Sequence, residues 1–276
     1  MFALNCKGKI LMVEKPLVMG ILNITDDSFY EGSRVQHLDQ ALKKAMQMVD
    51  EGADILDIGG QSTRPASERI SAEDELKRVL PVIKMLSEKL PDTVLSIDTY
   101  HSEVAKTCVE AGAGMVNDIS SGEMDHKMIP AIASLHVPYI CMHMKGVPET
   151  MHQDIHYDNV VTEVLDFLIK KTDECKLSGI HDVIIDPGFG FAKTHQHNFQ
   201  LLKHLSVFKM LNKPIMAGLS RKSTIYKTLG TTANESLNGT TALQTIALLN
   251  GADILRVHDV KEAKQTIRLM EPYGNA

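Results

Sequence analysis

Apolar residues cluster along the chain in short runs of strand length: LVMGILN (17–23), ILDIGG (55–60), VLSIDT (94–99), MVNDIS (115–120), PYICMHM (138–144), VIIDPG (183–188), PIMAGLS (214–220) and ILRVHD (254–259). Each is nearly continuously apolar at its start and none is joined to the next by a two-residue turn, which predicts parallel strands buried on both faces. Between them the apolar period becomes helical, as in Leu38, Leu42, Ala45, Met46 and Val49, in Leu76, Val79, Leu80, Ile83 and Leu86, and in Val160, Val161, Val164, Leu165, Leu168 and Ile169. Pro81 falls inside the second pattern and is expected to bend that helix or mark its effective start. The apolar run from Leu17 lies between Pro16 and Asn23, a strand length, and reads as neither a signal peptide nor a membrane span.

A short internal repeat supports the βα order. Gly52-Ala53-Asp54-Ile55-Leu56-Asp57, Gly112-Ala113-Gly114-Met115-Val116-Asn117 and Gly251-Ala252-Asp253-Ile254-Leu255-Arg256 each read as a glycine that ends a helix, a short turn and the start of an apolar strand. A polar residue closes all three copies at the same offset.

Eight such units fit an α/β fold closed into a single-domain (β/α)8 TIM barrel spanning residues 1–276, and barrels of about 250 residues form as one unit. An open doubly wound sheet usually has fewer strands and a glycine-rich phosphate turn after the first one, and neither G-x-G-x-x-G nor G-x-x-x-x-G-K-[ST] occurs. Hydrophobic residues at 43% and charged residues at 23% rule out disordered and fibrous classes. The net charge of −6 and the lack of a Lys/Arg stripe speak against nucleic acid as a partner. Cys6, Cys108, Cys141 and Cys175 are scattered without a C-x-x-C, which suits a reducing, cytoplasmic setting better than a disulfide framework or a zinc knot.

In a parallel barrel the C-terminal strand ends build the site. Polar residues stand at nearly every one: Asn23, Asp57, Asp98, Asn117 and Asp118, His143, Asp186, Arg221 and Lys222, and Arg256 and His258. Arg256 and His258 are two apart, so both project from one strand face and suit a grip on one anionic group.

The segments MGILNITDDSF (19–29), DIGGQSTRP (57–65), SIDT (96–99), NDI (117–119), MHM (142–144), DPGFGFAK (186–193), GLSRKS (218–223) and RVHDV (256–260) together resemble the dihydropteroate synthases, in order and spacing. That resemblance implies condensation of a 6-hydroxymethyl-dihydropterin diphosphate with p-aminobenzoate, with loss of pyrophosphate. By the same resemblance Asp186, Asn117, Lys222 and Asp98 would hold the pterin, and Thr63, Arg256 and His258 the diphosphate. Asn23 would bind Mg2+, and Phe29, Arg64, Pro65, Phe191 and Ser223 would form the p-aminobenzoate pocket. Asp98, Lys222, Arg256 and His258 would carry the catalysis. The resemblance also implies a homodimer through outer barrel helices and a sulfonamide target. Residues 24–34 and 60–70 are expected to close over the site as loops.

The chain departs from the family pattern in those loops: Asp26 stands where proline is usual, Ser33 where a second glycine is frequent and Gln61 where glutamate is usual. His195 and His197 lack a third ligand and read as solvent-facing, the methionines read as core filling, and the opposed charges of residues 71–78 as a solvated helix face. His143 fits a site residue and a satisfied core histidine equally. Two other readings use part of the pattern: a pterin-binding methyltransferase domain, against which Thr63, Arg256 and His258 weigh, and a non-catalytic pterin-binding module, against which Asn23, Arg64 and Lys222 weigh.

Overall fold

A computed structural model describes residues 1–24, 34–61, 69–148, 150–151, 153 and 155–274. All eight apolar runs form strands: β3 (Leu17–Asn23), β4 (Ile55–Gly59), β5 (Val94–Asp98), β6 (Met115–Asp118), β7 (Tyr139–Met142), β8 (Val183–Asp186), β9 (Met216–Ala217) and β10 (Ile254–Val257). They pair in parallel in chain order, and β10 returns to lie beside β3. A bridge between Ile185 and Ile215 and the bond from Ile185 N to Pro214 O, 2.9 Å, join β8 to the β9 segment and close the barrel. Helices α1 (Arg34–Asp50), α2 (Ala72–Lys89), α3 (Ser102–Glu110), α4 (Met128–Leu135), α5 (Val160–Leu177), α6 (His195–Lys203), α7 (Ser223–Leu229), α8 (Leu237–Leu249) and α9 (Val260–Gly274) surround it.

Alternation along each strand divides the core in two. Outward residues such as Val18, Leu56, Ile97, Val116, Cys141, Ile185 and Leu255 pack against the helices in one large cluster. Inward residues Met19, Ile55, Val94, Met115, Ile140, Ile184, Met216 and Ile254 fill the lower barrel. This second cluster continues into an element that the run of apolar positions did not disclose. An antiparallel hairpin, β1 (Phe2–Cys6) and β2 (Lys9–Val13), turns through Lys7 at φ 55° and Gly8 at φ 90°, and its Leu4, Cys6 and Val13 cap the barrel floor. Strands of five residues alternating buried and exposed carry too weak a pattern to stand out beside eight fully buried runs.

The repeat has a structural cause. Gly52, Gly112 and Gly251 all adopt left-handed conformations, at φ 102°, 126° and 93°, and end the preceding helix. In the first and third copies the Asp carboxylate then accepts the backbone N–H that starts a neighbouring strand: Asp54 from Val18 at 2.7 Å and Asp253 from Ile215 at 2.9 Å. The second copy has Gly114 because the hairpin passes there, and a Cβ would lie 3.1 Å from that of Cys6.

Two expectations for α2 need correction. The helix starts at Ala72, capped by Ser71, whose hydroxyl accepts from Asp74 N, and Pro81 lies inside it and does not start it. Its first turns are not wholly solvated either. Glu75 is fully buried, accepts from the Thr99 hydroxyl at 2.8 Å and has its pKa pushed up to about 8 by burial. A carboxyl inside a charged stretch is indistinguishable from its solvated neighbours by sequence period alone.

Candidate active site

The inward face changes chemistry two residues above the apolar floor. On β4 Ile55 gives way to Asp57, on β6 Met115 to Asn117, on β8 Ile184 to Asp186 and on β10 Ile254 to Arg256. Asn23, Gly59, Asp98 and Asn117 pair side by side across β3, β4, β5 and β6, so Asn23 and Asp98 join Asn117 in one row along the mouth. A Cβ on Gly59 would lie 3.6 Å from Asp98 Oδ2 and 3.8 Å from Asn23 Oδ1, which sets those two oxygens about the same backbone point.

Arg256 organises one side. Its Nε donates to Asp57 Oδ2 and its Nη2 to Asp98 Oδ2, each at 2.6 Å. Asn117 Nδ2 donates to the same Asp57 oxygen at 2.9 Å, so the three residues that close the repeats are bonded to one another. Asp57 is fully buried, and its Oδ1, like the hydroxyl of Ser96 beside it, has no hydrogen-bond partner among the described residues. Burial works against the Arg256 charge, but Asp57 and Asp98 outweigh it and raise its pKa. Asp98 bears the cost of this crowding. Burial raises its carboxyl to about 7 despite the guanidinium, because Asp57 and Asp118 add like charge.

Asp186 and Lys222 form the other side. Asp186 Oδ1 accepts from Gly188 N at 2.7 Å, while Lys222, N-terminal to α7, donates to the Phe189 carbonyl and lies 4.7 Å from the Phe191 ring centroid. Burial raises the Asp186 pKa, opposed by Lys222, the Gly188 N–H and Arg256. Burial lowers Lys222 to about 8, Asp186 opposing and Arg256 reinforcing the shift. Two glycines leave room for the ammonium. At Gly190, with φ 82°, a Cβ would stand 3.1 Å from Lys222 Cδ, and at Gly218 it would stand 3.6 Å from Nζ and 3.9 Å from Asp186 Oδ2. Tyr100, Ile119, Met142, Met144 and Phe191 form an apolar patch beside these groups, so two of the methionines lie at the mouth as well as filling core.

Other polar strand-end residues serve the frame. Asp118, one position on from Asn117, points outward. It accepts from Tyr139 OH at 2.7 Å and from Ser120 and Gly122 N–H, each at 2.8 Å, which fixes the turn after β6. Arg221, at φ 55°, grips Asp259 with Nε and Nη2 at 2.9 and 2.6 Å and so holds the segment that carries Lys222. His143 is a satisfied buried histidine: its ring meets Phe167 edge-on at 4.9 Å and its Nδ1 lies 2.9 Å from the buried Lys193 Nζ. His197 caps α6 with Thr194.

Of the expected site residues, Asn23, Asp98, Asn117, Asp186, Phe191, Lys222, Ser223, Arg256 and His258 are described, and the ring just set out joins Asp98, Asn117, Asp186, Lys222 and Arg256. Phe29, Thr63, Arg64 and Pro65, with Asp26 and Ser33, lie outside the described residues. Gln61 is described and accepts from Ile70 N at 2.9 Å. Asp57, a polar strand-end residue by sequence but not one of the expected binding residues, joins Arg256 to Asn117. Its place at the repeat's closing offset is the signal that identifies it. No cluster of three or more His, Cys, Asp or Glu side chains able to hold a metal ion occurs among the described residues.

The barrel mouth thus sets a carboxylate and an ammonium on one wall opposite an anchored guanidinium on the other. The family model for pterin binding enzymes matches residues 19–258. The dihydropteroate synthase of Escherichia coli K12 is 40% identical over 270 residues, covering 97% of this chain and 95% of its own, and that of Bacillus subtilis is 39% identical, covering 95% and 90%. The solved Xanthomonas albilineans dihydropteroate synthase with 4-aminobenzoic acid superposes with a TM-score of 0.91 at 39% identity, covering 99% of this chain and 98% of that one. This chain belongs to the pterin-binding enzymes and, within them, to the dihydropteroate synthases.

Proposed function

We propose that this chain condenses 6-hydroxymethyl-7,8-dihydropterin diphosphate with p-aminobenzoate, giving 7,8-dihydropteroate and pyrophosphate. The observation that carries the reading is the ring of Asp98, Asn117, Asp186, Lys222 and Arg256 in a barrel mouth whose floor is closed by apolar side chains. A pterin offers an amino group and a ring N–H side by side, a fork that the Asp186 carboxylate accepts in bidentate fashion. Lys222, with one proton on the Phe189 carbonyl, keeps two for ring acceptors. Asn117 spends an amide proton on Asp57, which turns its carbonyl toward the ring's donors.

The departing pyrophosphate gains negative charge as its bond breaks, and Arg256 meets it pre-aligned by two carboxylates. His258 and Thr63 complete that grip in this reading. Asp98 faces the exocyclic carbon and favours positive charge there as the leaving group separates. Phe191 and Ser223, with Phe29, Arg64 and Pro65, form the arylamine pocket.

Mg2+ is the expected cofactor. Asn23 Oδ1 is a neutral oxygen on an exposed side chain at the mouth beside Asp98, which suits an ion that keeps several waters and takes its remaining ligands from substrate phosphate. The ion would neutralise diphosphate charge. No described helix is long and apolar enough to cross a membrane, and the net charge of −6 disfavours nucleic acid, in keeping with a cytoplasmic enzyme acting on small molecules. Exposed Met210, Leu229, Ile246 and Leu249 support a homodimer through the outer helices, and residues 1–276 act as one domain. Arg256 and His258 favour the synthase over a methyltransferase domain or a non-catalytic module.

The test is pyrophosphate release by purified protein with Mg2+ and dihydropterin diphosphate, with and without p-aminobenzoate. Release coupled to dihydropteroate, lost in Lys222→Ala and on chelation of Mg2+, is expected. Pterin binding without either product would overturn the reading in favour of a binding module.

A further inference from the structure

The residue that faces His258 is Ser220, two positions before Lys222 and only 4% exposed. Its Oγ lies 3.2 Å from the His258 backbone N and 3.1 Å from His258 Nδ1. A backbone N–H only donates, so the hydroxyl accepts that bond. The hydroxyl has one proton of its own. Were Nδ1 protonated, two donors would converge on Oγ, and the hydroxyl proton would have no acceptor among the described residues. With Nδ1 bare, one proton runs from Oγ to Nδ1 and each group is satisfied. A neutral imidazole then carries its hydrogen on Nε2, the nitrogen turned away from Ser220.

We propose that Ser220 is a positioning residue that holds His258 as the neutral Nε2–H tautomer, so that β10 offers the substrate's diphosphate a directed, uncharged N–H donor beside the Arg256 cation. The role rests on the diphosphate-binding reading of Arg256 and His258 given above. Charge placement agrees with it. Desolvation of the ring and then the Arg256 guanidinium lower the His258 pKa to about 4 although the residue is solvent-exposed, which favours the neutral ring in the unliganded protein. The Ser220 bond also resists rotation of the ring. Removing the hydroxyl frees the ring to turn and to exchange tautomers, and Nε2–H then faces the anion for only part of the time.

Nitrogen NMR of the protein labelled in histidine, with His258→Gln used to assign the signal, reads the tautomer without substrate. The expected result at pH 7 is a bare Nδ1 and a protonated Nε2 in the unaltered protein, and a mixture of the two tautomers in Ser220→Ala. Steady-state kinetics of Ser220→Ala should show kcat/KM for dihydropterin diphosphate lowered roughly 3- to 10-fold, with the KM for p-aminobenzoate unmoved. Ser220→Thr, which keeps the hydroxyl, should restore both readouts. A protonated Nδ1 in the unaltered protein overturns the proposal whether or not Ser220→Ala folds. A ring state that shifts in Ser220→Ala while kcat/KM for the diphosphate stays put overturns the diphosphate role of His258, and so separates that failure from failure of the tautomer assignment.

Discussion

The lower and upper halves of the barrel interior are made by the same strands, two residues apart, and they do opposite work. At the floor, Met19, Ile55, Val94, Met115, Ile140, Ile184, Met216 and Ile254 meet the N-terminal hairpin in a closed apolar layer. Above it, Asp57, Asn117, Asp186 and Arg256 replace hydrocarbon with charged and amide groups, and Asp57 Oδ1 and Ser96 Oγ are left buried without partners among the described residues. An unpaired buried polar atom costs about 1–3 kcal/mol, which a stability-driven layer avoids. The upper layer is therefore shaped for a guest, and the lower one supplies the folding free energy that keeps it in place.

Strand β10 puts the contrast within one pair of substitutions. Ile254→Ala removes a fully buried side chain from the floor and should destabilise the fold by about 2–5 kcal/mol, read by thermal or denaturant unfolding, with the KM values of the folded protein unchanged. Arg256→Met, two residues on, should lower kcat/KM about 10²- to 10³-fold in a pyrophosphate-release assay. If the two variants failed in the same way, the division between floor and mouth would be lost.

Asp57→Asn sharpens the comparison further, since it keeps shape and removes one of the two carboxylates that hold Arg256. Activity should fall roughly 10- to 100-fold, the range for a hydrogen bond to a charged group, while the p-aminobenzoate KM holds. A smaller effect is expected from pH. In the proposed reaction Asp98 works ionised and its pKa is raised to about 7, so kcat/KM should climb as pH rises through 7. The proposed reaction also calls for protonated Lys222, whose pKa is lowered to about 8, so kcat/KM should decline above 8. A profile flat from pH 6 to 9 would show that neither group titrates in the free enzyme.

The same contrast explains what could be read without coordinates. All eight parallel strands were legible because strands buried on both faces are continuously apolar, and the charged residues interrupting that apolarity named most of the mouth. Asp57 was legible as a polar strand-end and repeat position, but nothing in its neighbourhood says that it bonds Arg256, 199 residues away. The β1–β2 hairpin was missed because a strand with one wet face and five residues gives little signal. Glu75 and Asp118 show the converse: acidic residues whose outward or buried direction is decided by packing, which local pattern does not record.

The most direct test of the account is the affinity of the unaltered protein and of Asp186→Asn for dihydropterin diphosphate, measured by calorimetry beside inorganic pyrophosphate as a reference ligand. Loss of the fork-accepting carboxylate should weaken the pterin ligand roughly 10- to 100-fold and leave pyrophosphate binding unchanged. Equal affinity of both proteins for the pterin ligand would contradict the claim that the charged layer of this barrel is its pterin site.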